Sequence, residues 1–180
     1  PTRNLPWLTV PEVVEGIRST GELLGIPSPA HALAAALESG LADTTTPASP
    51  KVLVLLGAPT QGDPDLWYVK PHSIHGAALR AAGARNAITT ELDGPPSISI
   101  EALLNIDPEM ILILLSDTTT TAAQLTEYRA FWEQFPMLQA QQKQKIGFMI
   151  GTTHFSTGPG VLEFKDALVQ KIASLKEPSP

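Results

Sequence analysis

Residues 51–57 read KVLVLLG, an unbroken apolar run of strand length closed by a glycine. A strand with one wet face alternates apolar and polar residues, whereas a run without polar interruption is buried on both faces, as in a parallel strand covered by helices. MILILL at 110–115 and KIGFMIG at 145–151 read the same way, and a shorter strand is expected at 86–89. Helical patterns separate these runs at 73–82, 99–105, 121–135 and 160–175. In the last of them Val161, Phe164, Leu168, Ile172 and Leu175 form one stripe. Strands alternating with helices of this length predict βαβ crossovers, hence a three-layer αβα lobe around a central, mostly parallel sheet.

Two helices precede the first strand. Thr9 and Glu12 have capping-box spacing with Pro11 in the first turn, which starts a helix over 9–25. Val13, Ile17 and Leu24 are expected on its buried face, with Gly25 as the stop. Gly16 and Gly21 inside it each cost about 1 kcal/mol against alanine, so close packing is expected there. Ser28-Pro29 starts a second helix, with Leu33 and Leu37 on its buried side and Gly40 as the stop. The Thr- and Pro-containing segment 41–50 reads as a loop.

A chain of 180 residues with 43% hydrophobic residues suits a single core. The apolar run 110–115 is far shorter than the roughly 20 residues that cross a bilayer, so no direct membrane insertion is expected. A net charge of −6 without a Lys/Arg cluster argues against a nucleic-acid partner. The lack of cysteine removes thiol nucleophiles, disulfides and Cys-ligated zinc. No P-loop, dinucleotide fingerprint, H-E-x-x-H or G-x-S-x-G is present, and no catalytic residue is assigned.

Ligands of parallel α/β sheets bind outside the carboxyl ends of the strands, which directs attention to 58–72, 90–98, 116–120 and 152–159. The first of these segments continues as GAPTQGDPDLWYVKPHSIH from Gly57 to His75. Trp67 and Tyr68 lie there without helical or strand periodicity. Either ring can staple the loop to the sheet, or face a cleft and stack on a macrocycle or aryl group. His72 and His75 are three apart, and His154 lies in another sheet-end loop, so the three are candidates to share a metal ion. His75 falls inside the helix expected from Ser73 while His72 precedes it, which sets their directions apart. Asp63 and Asp65 read as turn chemistry, and Asp117 before four threonines reads as a helix entry.

AAGARN at 81–86, SISIEALL at 97–104, DPEMILIL at 107–114 and GTTHFSTGPG at 151–160 follow one another over about half of the chain. In this order they resemble the C-terminal lobe of class III periplasmic substrate-binding proteins of ABC importers, the TroA-like and cobalamin-binding-protein-like group for cobalamin, siderophores and haem. The resemblance implies capture and delivery of a cobalamin-, haem- or iron-siderophore-like ligand rather than catalysis. It implies an interlobe linker helix within 1–27, a C-terminal ligand-binding lobe over 28–176, and a disordered tail at 177–180. A further N-terminal lobe is expected outside this chain, with ABC permease subunits as partners. A periplasmic or other extracytoplasmic location, with a lipid anchor through the N-terminus, is also implied. Trp67, Tyr68, His72, His154 and Phe155 are the ligand-binding residues it suggests, and Glu101 the permease-docking carboxylate. No cofactor is implied, although the ligand itself can be a metal-containing macrocycle or chelate. Where the resemblance calls for an arginine in the final loop, this chain has Gly160. The alternative reading is a metal-binding or metal-dependent enzyme domain using His72, His75 and His154.

Overall fold

The computed structural model describes residues 8–59, 65–89, 94–116 and 118–176. Asp63, Asp117 and the tail expected at 177–180 lie outside the described residues. Helix α1 (Val10–Leu23) starts where Glu12 accepts hydrogen bonds from the backbone N–H groups of Thr9 and Leu8, at 2.9 and 3.1 Å. Gly25, at φ +70°, turns the chain into α2 (Pro27–Gly40). Strand β1 (Lys51–Leu56) follows, then the two-residue β2 (Leu66–Trp67) and α3 (Ile74–Ala81), whose N-cap Ser73 accepts from the Gly76 N–H. Next come β3 (Arg85–Asn86), β4 (Ser97–Ile98) and α4 (Ile100–Ile106), capped by Ser99. Strand β5 (Met110–Leu115) leads to α5 (Ala122–Glu133), where Thr121 and Gln124 form a reciprocal capping box. The short α6 (Gln139–Gln142), β6 (Ile146–Ile150), a 3₁₀ turn (Thr152–Phe155) and α7 (Val161–Lys176) complete the chain.

The main sheet has the order β3-β1-β5-β6, and every pair in it is parallel. Its strands feed two cores by simple alternation. Val52, Val54, Met110, Leu112, Leu114 and Met149 face α1, α2, α3 and α7, while Leu53, Leu55, Ile111, Ile113 and Leu115 face the layer of α4, α5 and α6. The apolar runs of β1 and β5 are therefore strands with two buried faces. Strand β6 stands at the sheet edge, with Gly147 and Met149 buried but Ile150 39% exposed, contrary to expectation. The three-layer αβα architecture expected from these runs is the one observed. All but the last member of the α7 stripe are buried, and Leu175 packs partly buried at its end.

Three further details depart from expectation. Leu24 is 67% exposed, because α1 stops at Leu23 and Leu24 belongs to the turn, so Val14 joins Val13 and Ile17 in the core. Leu33 is 39% exposed, because the face of α2 that meets the core runs through Ala30, Ala34 and Leu37. The strand expected over 86–89 ends at Asn86, whose side chain replaces the ladder: its Oδ1 accepts from Ile88 N–H and its Nδ2 donates to the Val69 carbonyl, both at 2.9 Å. The antiparallel pair of β2 and β4 had no periodicity to announce it, since each strand is two residues long.

The helix-interior Gly21 is explained by the approach of α2. A Cβ at Gly21 would lie 2.1 Å from the Ala30 Cβ, so the two helices meet with no room for a methyl group. Helix propensity alone makes Gly21→Ala stabilising by about 1 kcal/mol, whereas overpacking costs about 1–3 kcal/mol. We expect the second effect to win, lowering the urea midpoint. Gly21→Ala combined with Ala30→Gly should recover most of the loss, and a stabilised single variant would show that the helices are not in close contact.

Candidate functional site

The sheet order places a topological switch between β1 and β5: the chain leaves β1 toward β3 on one side and returns to β5 on the other. Loops leaving the carboxyl ends of such strands part there and open a crevice. Gly57 ends β1 at φ +90°, with its N–H on the Leu114 carbonyl at 2.9 Å. Among the described residues, three depressions around this point share Leu56. The largest has a volume of about 540 Å³ and a mostly apolar wall that includes Leu56, Tyr68, Val69, Pro96 and Phe155. Lys70, His72, Ser73 and His75 supply its polar groups, and Leu8 and Thr9 close the side from which α1 departs. A second, of about 280 Å³, lies over the switch point and is lined by Ser116, Thr120, Tyr128 and again Phe155. The third, of about 170 Å³, is bordered by Asp65 and Trp67.

The two adjacent aromatic residues are separated by strand geometry. The Tyr68 N–H donates to the Pro96 carbonyl and the Val69 N–H to the Val54 carbonyl, which lays this segment along β1. Successive side chains on extended backbone point to opposite sides. Tyr68 is accordingly 1% exposed, part of the core and of the cavity floor at once, while Trp67 is 42% exposed beside the smallest depression. The two readings of this loop thus divide between its two rings: Tyr68 holds it to the sheet and Trp67 remains on the surface.

The wall after Val69 is held by backbone contacts. Asn86 binds the Val69 carbonyl, Arg80 donates to the Pro71 carbonyl and pairs with Asp43 at 3.4 Å, and the Lys70 ammonium donates to the Gly94 carbonyl at 3.4 Å. Gly76 permits the close fit of α3 under this wall, because a Cβ there would meet the carbonyl oxygens of Lys70 and Pro71 at 2.4 Å.

The three histidines do not form a metal centre. His72 is exposed at the cavity mouth, whereas the His75 Nε2–H donates to the backbone carbonyl of His154 at 3.1 Å. His75 and His154 both pack on Phe164, with ring centroids 5.3 and 5.8 Å away. Among the described residues no group of three His, Asp or Glu side chains is arranged to hold an ion. The alternative reading fails because His75 spends its outward nitrogen on the final loop, tying α3 to the turn that carries Phe155. Of the residues suggested by resemblance, Tyr68, His72 and Phe155 meet in the large cavity; His154 adjoins it and Trp67 lies apart. Sequence reasoning missed Leu8, Thr9 and Ser73, which lie outside the sheet-end segments, and did not single out Val69, Lys70 and Pro96 within them.

Burial pushes the His75 imidazole below its ordinary value of 6.5, an effect the His154 carbonyl partly opposes. Burial likewise lowers His154, opposed by the Ile150 backbone. The unfolded chain takes up these protons near pH 6.5 and the folded chain resists them to lower pH. Stability is therefore full above about pH 6.5 and is lost as pH falls toward the folded values. Urea midpoints of the wild type should drop between about pH 7.5 and about pH 5, and the drop should be smaller in His75→Gln. Equal drops in both proteins would mean that His75 is not the titrating group.

No family model and no curated protein matches this chain, but solved structures do. An ABC transporter substrate-binding protein from Listeria monocytogenes EGD-e superposes with a TM-score of 0.72 at 16% identity, covering 94% of this chain and 66% of that one. The ABC-type Fe3+-hydroxamate transport system from Saccharomonospora viridis DSM 43017 gives 0.68 at 19% identity, with 91% and 56% covered. A periplasmic heme-binding protein from Pseudomonas aeruginosa gives 0.66 at 20% identity, with 95% and 62% covered. The chain thus has the fold of the periplasmic binding proteins, and it spans 56 to 66% of the length of these three structures.

Proposed function

We propose that this chain is the C-terminal ligand-binding lobe of an ABC-importer substrate-binding protein, with α1 leading in from a second lobe. The observation that carries this reading is the largely apolar cavity of about 540 Å³ at the carboxyl edge of a parallel sheet, beside its switch point. A wide apolar wall with few polar groups fits a large amphipathic organic ligand, such as a cobalamin-, haem- or iron-siderophore-like compound, better than a bare ion. The second lobe would enclose the exposed side of that ligand, and a permease would receive it. An extracytoplasmic location accords with this role, and no helix among the described residues is long and apolar enough to cross a membrane.

Titration of this chain and of the whole protein with cyanocobalamin, haemin and a ferric hydroxamate tests the reading. The open cavity of the chain alone should bind weakly or not detectably and the whole protein much more tightly, whereas equal affinities, or binding of none by the whole protein, would overturn it. A large ligand that extends from the main cavity over Leu56 to the neighbouring depression would meet both rings. Trp67→Ala and Phe155→Ala should therefore each weaken that binding by about 1 kcal/mol with little change in melting temperature, because both rings are partly open to solvent. Tyr68→Ala should instead destabilise the fold by about 3 kcal/mol, as expected for emptying a buried aromatic site. If all three variants lose binding and stability together, the division of roles between Trp67 and Tyr68 is wrong.

Glu101 is the docking carboxylate in this reading. It is exposed in the first turn of α4, beside the Ser99 cap that accepts from Ala102 N–H at 3.2 Å. A carboxylate at a helix start is favoured by the surrounding N–H groups and stays free to meet a cationic partner. In cells carrying the whole importer, Glu101→Arg should cut uptake severalfold while the purified protein keeps its ligand affinity. Unchanged uptake, or a parallel loss of affinity, would remove the docking role.

A further inference from the structure

We propose that the outer edge of β6 is a docking site for an extended acidic segment of a partner protein, which pairs with this strand through its backbone and sets carboxylates against Arg129 and Lys171. Strand β6 ends the order β3-β1-β5-β6, so only one of its sides is paired. The Ile111 N–H donates to the Lys145 carbonyl, and the Gly151 N–H donates to the Leu115 carbonyl. Alternation along the strand turns the peptide groups of Gly147 and Met149 the same way, toward β5, and those of Ile146, Phe148 and Ile150 outward. Among the described residues no hydrogen bond reaches these three outward N–H groups, and of their carbonyls only that of Ile150 is met, by the His154 ring. All three residues are at least partly exposed. A row of unpaired peptide groups is a template for one more strand.

The charges say which strand fits. Arg129 of α5 lies over the Phe148 ring, 5.6 Å from its centroid, on one face of β6. On the other face the Lys171 side chain of α7 crosses Gly147, where a Cβ would meet the Lys171 Cε at 2.6 Å. Neither cation has an ion-pair partner among the described residues. Burial and the nearby Arg129 guanidinium hold the Lys171 ammonium below its ordinary value of 10.5. A carboxylate placed between the two would relieve their repulsion and pair in a partly desolvated setting. The same charges select against a second copy. Two-fold pairing of β6 with itself would bring Arg129 and Lys171 against their own counterparts, and edge cations of this kind keep identical sheets apart. None of these residues lines the three depressions, so this edge can be occupied whatever the cavity holds.

Fluorescence anisotropy of the chain with two short labelled peptides, one alternating Glu and Val and the other Lys and Val, tests this at low salt. The Glu-Val peptide should bind saturably and about tenfold or more tighter than the Lys-Val peptide. Methylating every backbone nitrogen of the Glu-Val peptide should abolish its binding, because the charges stay and the ladder donors go. Arg129→Glu combined with Lys171→Gln should remove the preference for the Glu-Val peptide. Ile150→Pro deletes one outward N–H at an exposed position and should weaken its binding about fivefold. Urea midpoints identify any variant that fails to fold, and the methylated peptide tests the pairing on the unaltered chain. Equal binding of the two peptides, undiminished binding of the methylated one, or binding of neither would overturn the acidic docking edge. A wild-type chain that sediments as a dimer, and as a monomer after Ile150→Pro, would overturn it too by giving the edge to a second copy.

Discussion

Burial of β1 and β5 on both faces is the constraint on which the rest of this structure depends. Each contributes alternate side chains to two separate cores, so neither face of the sheet can be left to solvent. Helices must cover both sides, which leaves the strand ends and the sheet edges as the open places on the lobe. At the carboxyl end the chain departs from β1 and from β5 in opposite directions, and Leu56 and Gly57 sit at the bottom of the gap. The site follows from the sheet's need to be covered, and its position required no dedicated structural element.

What turns that gap into a shaped wall is a set of backbone anchors. The ladder bond from Val69 to Val54 and the Asn86 amide fix the aromatic segment at its base. Arg80 and the absence of a side chain at Gly76 hold the turn at Pro71 against α3. Buried polar groups are costly unless paired, and Asn86 repays its burial by satisfying two backbone groups that the short β3 leaves open. A wall fixed in this way has little conformational entropy to lose when a ligand lands on it.

The histidines illustrate how spacing alone leaves more than one role open. Spacing made His72, His75 and His154 candidate metal ligands, yet two of them serve the junction between α3 and the final turn. His75 donates to the His154 backbone, and both rings pack on Phe164. Imidazoles used this way are kept neutral by burial, and they position Phe155 at the point where the two larger depressions meet.

Fold class was legible in the chain because two-sided burial leaves a continuous apolar run that no other element of that length explains, and because Ser73, Ser99 and Thr121 mark helix starts locally. The edge carrying the site was legible for the same reason, as a property of parallel sheets. The residues that meet there were only partly legible. Trp67 and Tyr68 are neighbours in sequence, and their opposite fates depend on a hydrogen-bonded register with β1 that involves residues far away in the chain. Leu24 and Leu33 looked like core residues until the end of α1 and the close contact of Gly21 with Ala30 set which faces turn inward. Sequence by itself determined what is settled by local periodicity and capping; the tertiary structure decided what depends on pairing between distant segments, because a side chain's direction there is set by the partner strand or helix.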